Sequence, residues 1–141
     1  MQEKQRILVL CTGNSTRSQM AHGYLQQFAG DRAEVLSAGV ETHGLNPKAV
    51  QVMAEDGVDI SHHTSDLVDG YAHLPIDHVI TVCDSASERC PVWIGRTHRL
   101  HHNFEDPSKG SGSPDEVMAN YRRIRDQIRE FSRDFVEKHV S

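Results

Sequence analysis

Short apolar runs recur along the chain and are separated by longer, more polar stretches. The runs predict β-strands at residues 6–11, 34–37, 78–82 and 97–101. The first run, Ile-Leu-Val-Leu before Cys11, is apolar at every position. Such a run is typical of a strand in a parallel sheet that is covered on both faces.

The stretches between the runs carry apolar residues at helical spacing. They predict a helix over residues 18–28, a second that begins at Asn46-Pro47 and ends at Gly57, and a third after Ser113. Ser113 and Glu116 have the spacing of a capping box. An apolar stripe on the third helix predicts core packing and consists of Val117, Tyr121, Ile124, Ile128, Phe131 and Phe135.

Alternating strands and helices predict right-handed βαβ units. The expected fold class is therefore α/β: one domain over residues 1–141, built on an open four-stranded parallel sheet flanked by helices. Ligands bind such sheets at the carboxyl ends of the strands. Cys11, Cys83 and the loop that carries Asp106 all follow predicted strands, so we expect them to meet at this edge.

Charge, hydropathy and cysteine count limit the classes of function that the protein can have. The net charge of −5 gives no sign of a nucleic-acid partner. The chain has neither an apolar stretch near the ~20 residues of a membrane span nor a signal peptide, which predicts a cytoplasmic protein without a membrane partner. Three cysteines in a reducing compartment favour thiol chemistry over a structural disulfide framework.

Two groups of polar residues have ordinary explanations. The adjacent pairs His62-His63 and His101-His102 are interpreted as surface histidines rather than metal ligands, because no cysteine lies at zinc-site spacing. A solvated helix face accounts for the basic residues of the last predicted helix, which alternate with acids and are Arg122, Arg123, Arg125, Arg129 and Arg133.

The strongest chemical signal is Cys-Thr-Gly-Asn-Ser-Thr-Arg-Ser over residues 11–18, directly after the first strand. Loop N–H groups and the following helix N-terminus can surround one oxyanion there. The predicted oxyanion-binding residues are Thr12, Gly13, Asn14, Ser15, Thr16 and Arg17. Gly13 and Asn14 tolerate positive φ, and Ser18 can donate a hydrogen bond to Cys11, which the positive field favours as a thiolate. The alternative is a buried structural cysteine.

Cys83 and Cys90 lie seven residues apart. Helical spacing would separate their Cα atoms by about 10.5 Å, whereas a disulfide needs roughly 7 Å or less. We therefore predict a redox switch whose segment 83–91 is compact when reduced and looped out when oxidised; the alternative is two unrelated thiols.

Asp106 is a candidate general acid. Neighbouring Glu105 is a rival for this role, and the alternative interpretation of Asp106 is a simple turn aspartate.

Five segments together carry a family resemblance: residues 11–20, 37–47, 59–66, 83–91 and 104–107. They resemble the thioredoxin-coupled arsenate reductases, which share the low-molecular-weight protein tyrosine phosphatase fold. The resemblance covers nearly the whole chain, and the three cysteines occupy the three positions of the family.

The resemblance implies a chemistry. Cys11 would attack arsenate held by the loop and Arg17, and Asp106 would protonate the departing oxygen. Cys83 would then attack Cys11, releasing arsenite, and Cys90 would attack Cys83, leaving a disulfide that thioredoxin reduces. A monomer with no tightly bound cofactor and weak phosphatase activity is expected.

Two positions depart from the family pattern. Thr16 stands where many members carry an additional cysteine. His22 stands where some carry a glutamate that helps bind potassium, which puts a potassium site in doubt although Asn14, Ser37, Thr64 and Asp66 match the other ligands.

Two other functions compete with arsenate reduction. A phosphatase would use the same loop, but Ser108 stands where tyrosine phosphatases place an aromatic residue. A thiol-based sensor would need a partner surface, and the sequence has no exposed apolar stripe to provide one.

Overall fold

The computed structural model describes residues 4–83 and 97–140. Its strands are β1 (Gln5–Cys11), β2 (Ala33–Gly39), β3 (His78–Thr81) and β4 (His98–His101), and its α-helices are α1 (Arg17–Ala29), α2 (Pro47–Glu55) and α3 (Pro114–His139). Short 3₁₀ turns lie at Gly30–Arg32, Val68–Tyr71 and Pro107–Lys109. Each predicted strand and helix within these ranges is confirmed to within a few residues. The predicted redox segment after Cys83 lies outside the described residues.

The four strands form a parallel sheet in the order β2-β1-β3-β4. The interior place of β1 explains its apolar run, because Ile7, Leu8, Val9 and Leu10 have no exposed surface. Alternate residues of the strand face opposite ways. Ile7 and Val9 belong to the core that contains α1, α2 and α3, while Leu8 and Leu10 pack with Ile76 and Val79.

The long helix α3 begins as its sequence predicts. Ser113 and Glu116 form both bonds of a capping box. The predicted stripe is in the core: Tyr121, Ile124, Ile128 and Phe135 are buried, and the stripe's other two members pack against them.

The basic residues of α3 correct the prediction of a purely solvated face. Arg122 makes two hydrogen bonds to the Glu55 carboxylate at the end of α2. Arg125 bonds to Glu55 and to the carbonyl of Val52, and its side chain is only 12 % exposed. Arg129 pairs with Asp56. These ion pairs tie α2 to α3, a tertiary contact that charge alternation along one helix does not reveal.

Candidate functional site

The carboxyl edge of the sheet brings two of the cysteines to neighbouring strands. Cys11 is the last residue of β1, and Cys83 follows β3 after Val82, whose N–H donates to the Leu10 carbonyl. Cys11 is 3 % exposed and Cys83 is 0 % exposed. Cys83 is disulfide-bonded, whereas Cys11 is not. Cys90, the third predicted cysteine of the site, lies outside the described residues.

The β1–α1 loop, residues 12–16, is held from outside by segment 41–46. Backbone N–H groups of Glu41, His43 and Asn46 donate to carbonyls of the loop, at 3.0, 3.0 and 3.2 Å. The accepting carbonyls belong to Thr12, Gly13 and Ser15. Because a trans peptide points its N–H opposite to its carbonyl, the next N–H groups are turned to the other side of the loop. N–H groups that are turned to one side of a loop can form an anion-binding nest.

Asn14 holds the loop in a left-handed conformation. Its φ is 47°, as the sequence predicts, and the residue is completely buried. The side-chain amide donates to Ser18 Oγ at 2.8 Å, and its oxygen accepts the Asp66 N–H at 2.8 Å. These bonds stabilise a backbone conformation that is unfavourable for a non-glycine residue.

Gly13 is required for a different reason than predicted. The residue is not among those with positive φ. A Cβ atom at this position would lie 2.2 Å from His43 Nδ1. The glycine therefore provides space for the His43 ring, a contact between segments thirty residues apart that the sequence does not indicate.

A cavity of about 410 Å³ opens above the β1–α1 loop. Part of its wall comes from the loop after β4, so one space brings together groups from three parts of the chain. The lining residues are Cys11, Thr12, Gly13, Ser15, Thr16, Arg17, His43, Asn46, Asp106, Ser108 and Lys109. Sequence analysis missed His43, Asn46 and Lys109 as members of this site, although residues 43 and 46 lie in a segment that carried the resemblance.

Arg17 and Asp106 face the same cavity. Arg17 is 3 % exposed, donates to the Phe104 carbonyl at 3.1 Å, and places Nη2 3.6 Å from Asp106 Oδ2. The other Asp106 oxygen accepts hydrogen bonds from the backbone and hydroxyl of Ser108. Glu105 instead pairs with Arg123 at the surface and does not line the cavity. The geometry thus favours Asp106 over Glu105 as the acid.

The hydrogen bond expected from the Ser18 hydroxyl to Cys11 stays a prediction.

The side chains matched to a potassium site are used in other hydrogen bonds. Thr64 Oγ1 donates to the Asp66 carboxylate at 3.0 Å, and the Asn14 oxygen accepts from Asp66. Ser37 Oγ bonds to His22 Nδ1 at 2.9 Å. Burial, with the nearby His63 and His62, lowers the pKa of His22 to about 3. A neutral imidazole supplies no anionic oxygen to a hard cation, so these residues do not fit potassium.

The expectation of surface histidines is confirmed for His62, His101 and His102, which are exposed, and is wrong for His63. The His63 ring stacks on His22, with ring centroids 4.2 Å apart, and bonds to Gln19 Oε1 at 2.9 Å. His63 is therefore a half-buried packing residue. Within residues 4–83 and 97–140, no three His, Cys, Asp or Glu side chains are grouped so as to hold a metal ion.

The lowered pKa of half-buried His22 predicts a pH-dependent stability. The folded protein keeps His22 neutral down to about pH 3, whereas a solvent-exposed histidine has a pKa of 6.5, so the unfolded chain binds more protons between these values. Stability therefore falls as the pH drops through this window. Between pH 7 and 5 this one residue accounts for about 2 kcal/mol, because the slope approaches ~1.4 kcal/mol per pH unit below pH 6.5. Urea unfolding at pH 7 and pH 5 measures the loss.

The His22→Gln variant is the control for this loss, because glutamine can still bond to Ser37 and does not titrate. Its loss of stability between pH 7 and 5 should be smaller than that of the parent by about 2 kcal/mol. An equal loss in both proteins would show that His22 does not carry the effect.

Comparison with known proteins shows which family has this sequence and fold. The family described as "Low molecular weight phosphotyrosine protein phosphatase" matches residues 6–140. The chain is 44 % identical over 135 residues to an "Arsenate reductase" of Bacillus subtilis, covering 96 % of this chain and 97 % of that one. It is 46 % identical over 134 residues to an "Arsenate reductase" of Bacillus licheniformis, covering 95 % and 96 %. A solved structure described as "An arsenate reductase in the phosphate binding state" superposes with a TM-score of 0.81 at 29 % identity, covering 97 % and 99 %.

Proposed function

The chain belongs to the low molecular weight phosphotyrosine protein phosphatase family, and on that basis we propose that it is an arsenate reductase. The observation that carries this proposal is that Cys11, which lines the cavity, ends one strand, while a second cysteine, Cys83, follows the end of the neighbouring strand. A phosphatase of this type needs only the first. The substrate is an inorganic oxyanion, arsenate, with phosphate as its analogue.

The first chemical step forms a bond between sulfur and arsenic. The N–H groups of the β1–α1 loop and the guanidinium of Arg17 bind the oxygens of arsenate. The Cys11 thiolate attacks arsenic, and Asp106 donates a proton to the departing oxygen, which leaves as water. Arsenic is still in its +5 state in this adduct.

The second step transfers two electrons. The Cys83 thiolate attacks the sulfur of Cys11, and the electron pair of the sulfur–arsenic bond passes to arsenic. Arsenite leaves in the +3 state, and a Cys11–Cys83 disulfide forms. The burial of both sulfurs at one edge of the sheet supports this exchange, because it keeps competing thiols away.

The third step returns Cys11 to its thiolate form. Cys90 attacks Cys83, which yields a Cys83–Cys90 disulfide and releases Cys11. The state of the described cysteines supports this order, since Cys83 is in a disulfide and Cys11 is not.

We propose thioredoxin as the dithiol reductant of the final disulfide, a monomer as the active form and the cytoplasm as the location. In residues 4–83 and 97–140, no helix has the length and apolar character needed to cross a membrane.

A coupled assay tests the proposal. Arsenate-dependent oxidation of NADPH should appear when thioredoxin and thioredoxin reductase are supplied, and it should stop when thioredoxin is omitted. Slow hydrolysis of a small phosphate ester should accompany it. Ser108 lines the cavity where tyrosine phosphatases place an aromatic residue, which favours small substrates over phosphotyrosine. Ester hydrolysis without arsenate-dependent oxidation would assign the protein to the phosphatases instead.

The acid is tested by amide substitution. Asp106→Asn should slow hydrolysis of phosphate esters by roughly 10²–10⁴, because an amide cannot donate a proton to the leaving oxygen. Glu105→Gln is the matched control, since it changes the adjacent carboxylate, which faces Arg123 rather than the cavity. A large loss in Glu105→Gln with little change in Asp106→Asn would reverse the assignment.

A further inference from the structure

One side chain, that of Asn46, connects the β1–α1 loop to the two helices that flank it. Its amide Nδ2 donates to Thr16 Oγ1 and to the Tyr121 hydroxyl, each at 3.0 Å. Its oxygen caps α2 by accepting the Lys48 N–H at 2.8 Å, and its backbone N–H donates to the Ser15 carbonyl. We propose that Asn46 and Tyr121 are positioning residues that set the oxyanion affinity of the cavity through Thr16.

Thr16 shows why such positioning is needed. It is the N-cap residue of α1, yet its side chain makes no capping bond. A threonine in this place ordinarily accepts a hydrogen bond from an N–H of the first helical turn. Here the hydroxyl bonds to Asn46 instead, so it does not compete with a ligand for the N–H groups at the start of the helix. The bond from Asn46 therefore leaves the N–H groups at the start of α1 available to the oxyanion.

Tyr121 anchors the other end of this connection. It is 2 % exposed and lies on α3, the longest helix of the described chain. Burial raises the pKa of its hydroxyl. The hydrogen bond from Asn46 lowers this pKa and the negative charge of Asp106 raises it, and the net direction is upward, so the hydroxyl stays protonated and neutral. A buried, neutral hydroxyl on a rigid helix gives Asn46 a fixed partner.

The capping and positioning roles of Asn46 belong to different atoms, and this makes them separable. Serine is also a good N-cap residue, so Asn46→Ser keeps the start of α2. It lacks the amide that reaches Thr16 and Tyr121. The loss of one neutral hydrogen bond corresponds to about a 5-fold change in an equilibrium constant, and the loss of two to about 30-fold.

The test measures the dissociation constant of inorganic phosphate by calorimetry, together with the melting temperature of each variant. Asn46→Ser should weaken phosphate binding by about 10–30-fold, and Tyr121→Phe by about 3–10-fold. Thr16→Val, which removes the accepting oxygen, should resemble Tyr121→Phe. Thr16→Ser, which keeps that oxygen, should bind phosphate more tightly than Thr16→Val.

The control removes a similar buried hydroxyl that does not reach the loop. Tyr24 is 1 % exposed and donates to Asp56 at 2.7 Å. Tyr24→Phe should lower the melting temperature but leave phosphate affinity unchanged. The proposal is overturned if Tyr121→Phe and Asn46→Ser bind phosphate as the parent does, or if Tyr24→Phe weakens binding equally.

This inference rests on the oxyanion role assigned to the cavity in the proposed function, but not on its redox steps. If the parent binds phosphate and shows no arsenate-dependent turnover, the proposed reductase activity is wrong. The positioning proposal is then still decided by the phosphate affinities of the variants. If the parent binds no phosphate, the positioning proposal fails as well.

Discussion

Cys11→Ser should lose arsenate reduction and phosphate-ester hydrolysis together, each by about 10⁴-fold or more. In the proposed mechanism both reactions begin with attack by the sulfur of Cys11, which lines the cavity. A serine hydroxyl in the same place is neutral at pH 7 and is a much weaker nucleophile than a thiolate. The coupled NADPH assay and an ester-hydrolysis assay measure the two losses.

Oxyanion binding is the control for this variant. The loop N–H groups and Arg17 do not depend on the sulfur, so Cys11→Ser should still bind inorganic phosphate and should retain its fold. Appreciable turnover of either substrate by Cys11→Ser would place the nucleophile elsewhere in the chain.

Cys83 and Cys90 variants should separate the two chemistries. Cys83→Ser and Cys90→Ser should both lose steady-state arsenate reduction, because neither variant can form the Cys83–Cys90 disulfide that thioredoxin reduces. Both should keep ester hydrolysis, since the β1–α1 loop, Arg17 and Asp106 are intact. Cys90→Ser should also accumulate a Cys11–Cys83 disulfide after one turnover, which mass spectrometry of the unreduced protein detects.

Burial of Cys83 calls for a second variant at that position. The residue has no exposed surface, and a serine hydroxyl there would be costly without a partner. Cys83→Ala removes the thiol without adding a polar group and should show the same loss. Sustained turnover driven by thioredoxin in any of these variants would contradict the relay.

Features that depend on neighbours in sequence could be predicted. The apolar run of β1, the capping box of α3 and its apolar stripe are local patterns with one structural solution. The contiguous loop of residues 12–16 also belongs to this class, including the left-handed Asn14. These patterns were enough to place Cys11 at the carboxyl edge of a parallel sheet.

Contacts between distant segments could not be predicted. The choice between Asp106 and Glu105 depends on which side chain the turn after β4 directs toward Arg17, and both residues are acids. The space that Gly13 leaves for His43 likewise has no local signature. Arg125 alternates with acids as a surface residue would, yet it is largely buried against α2. In each case the partner is brought close only by the tertiary fold.

The ion pair between Arg17 and Asp106 gives the cavity a built-in counter-ion. A guanidinium that is 3 % exposed would be costly to bury without a negative charge nearby, and the carboxylate 3.6 Å away provides one. A doubly charged oxyanion that enters the cavity competes with this carboxylate for the same cation. Binding would then release Asp106 from Arg17. Substrate binding would thus exchange one partner of Arg17 for another, so that the buried guanidinium has a negative charge beside it in the resting protein and in the occupied one.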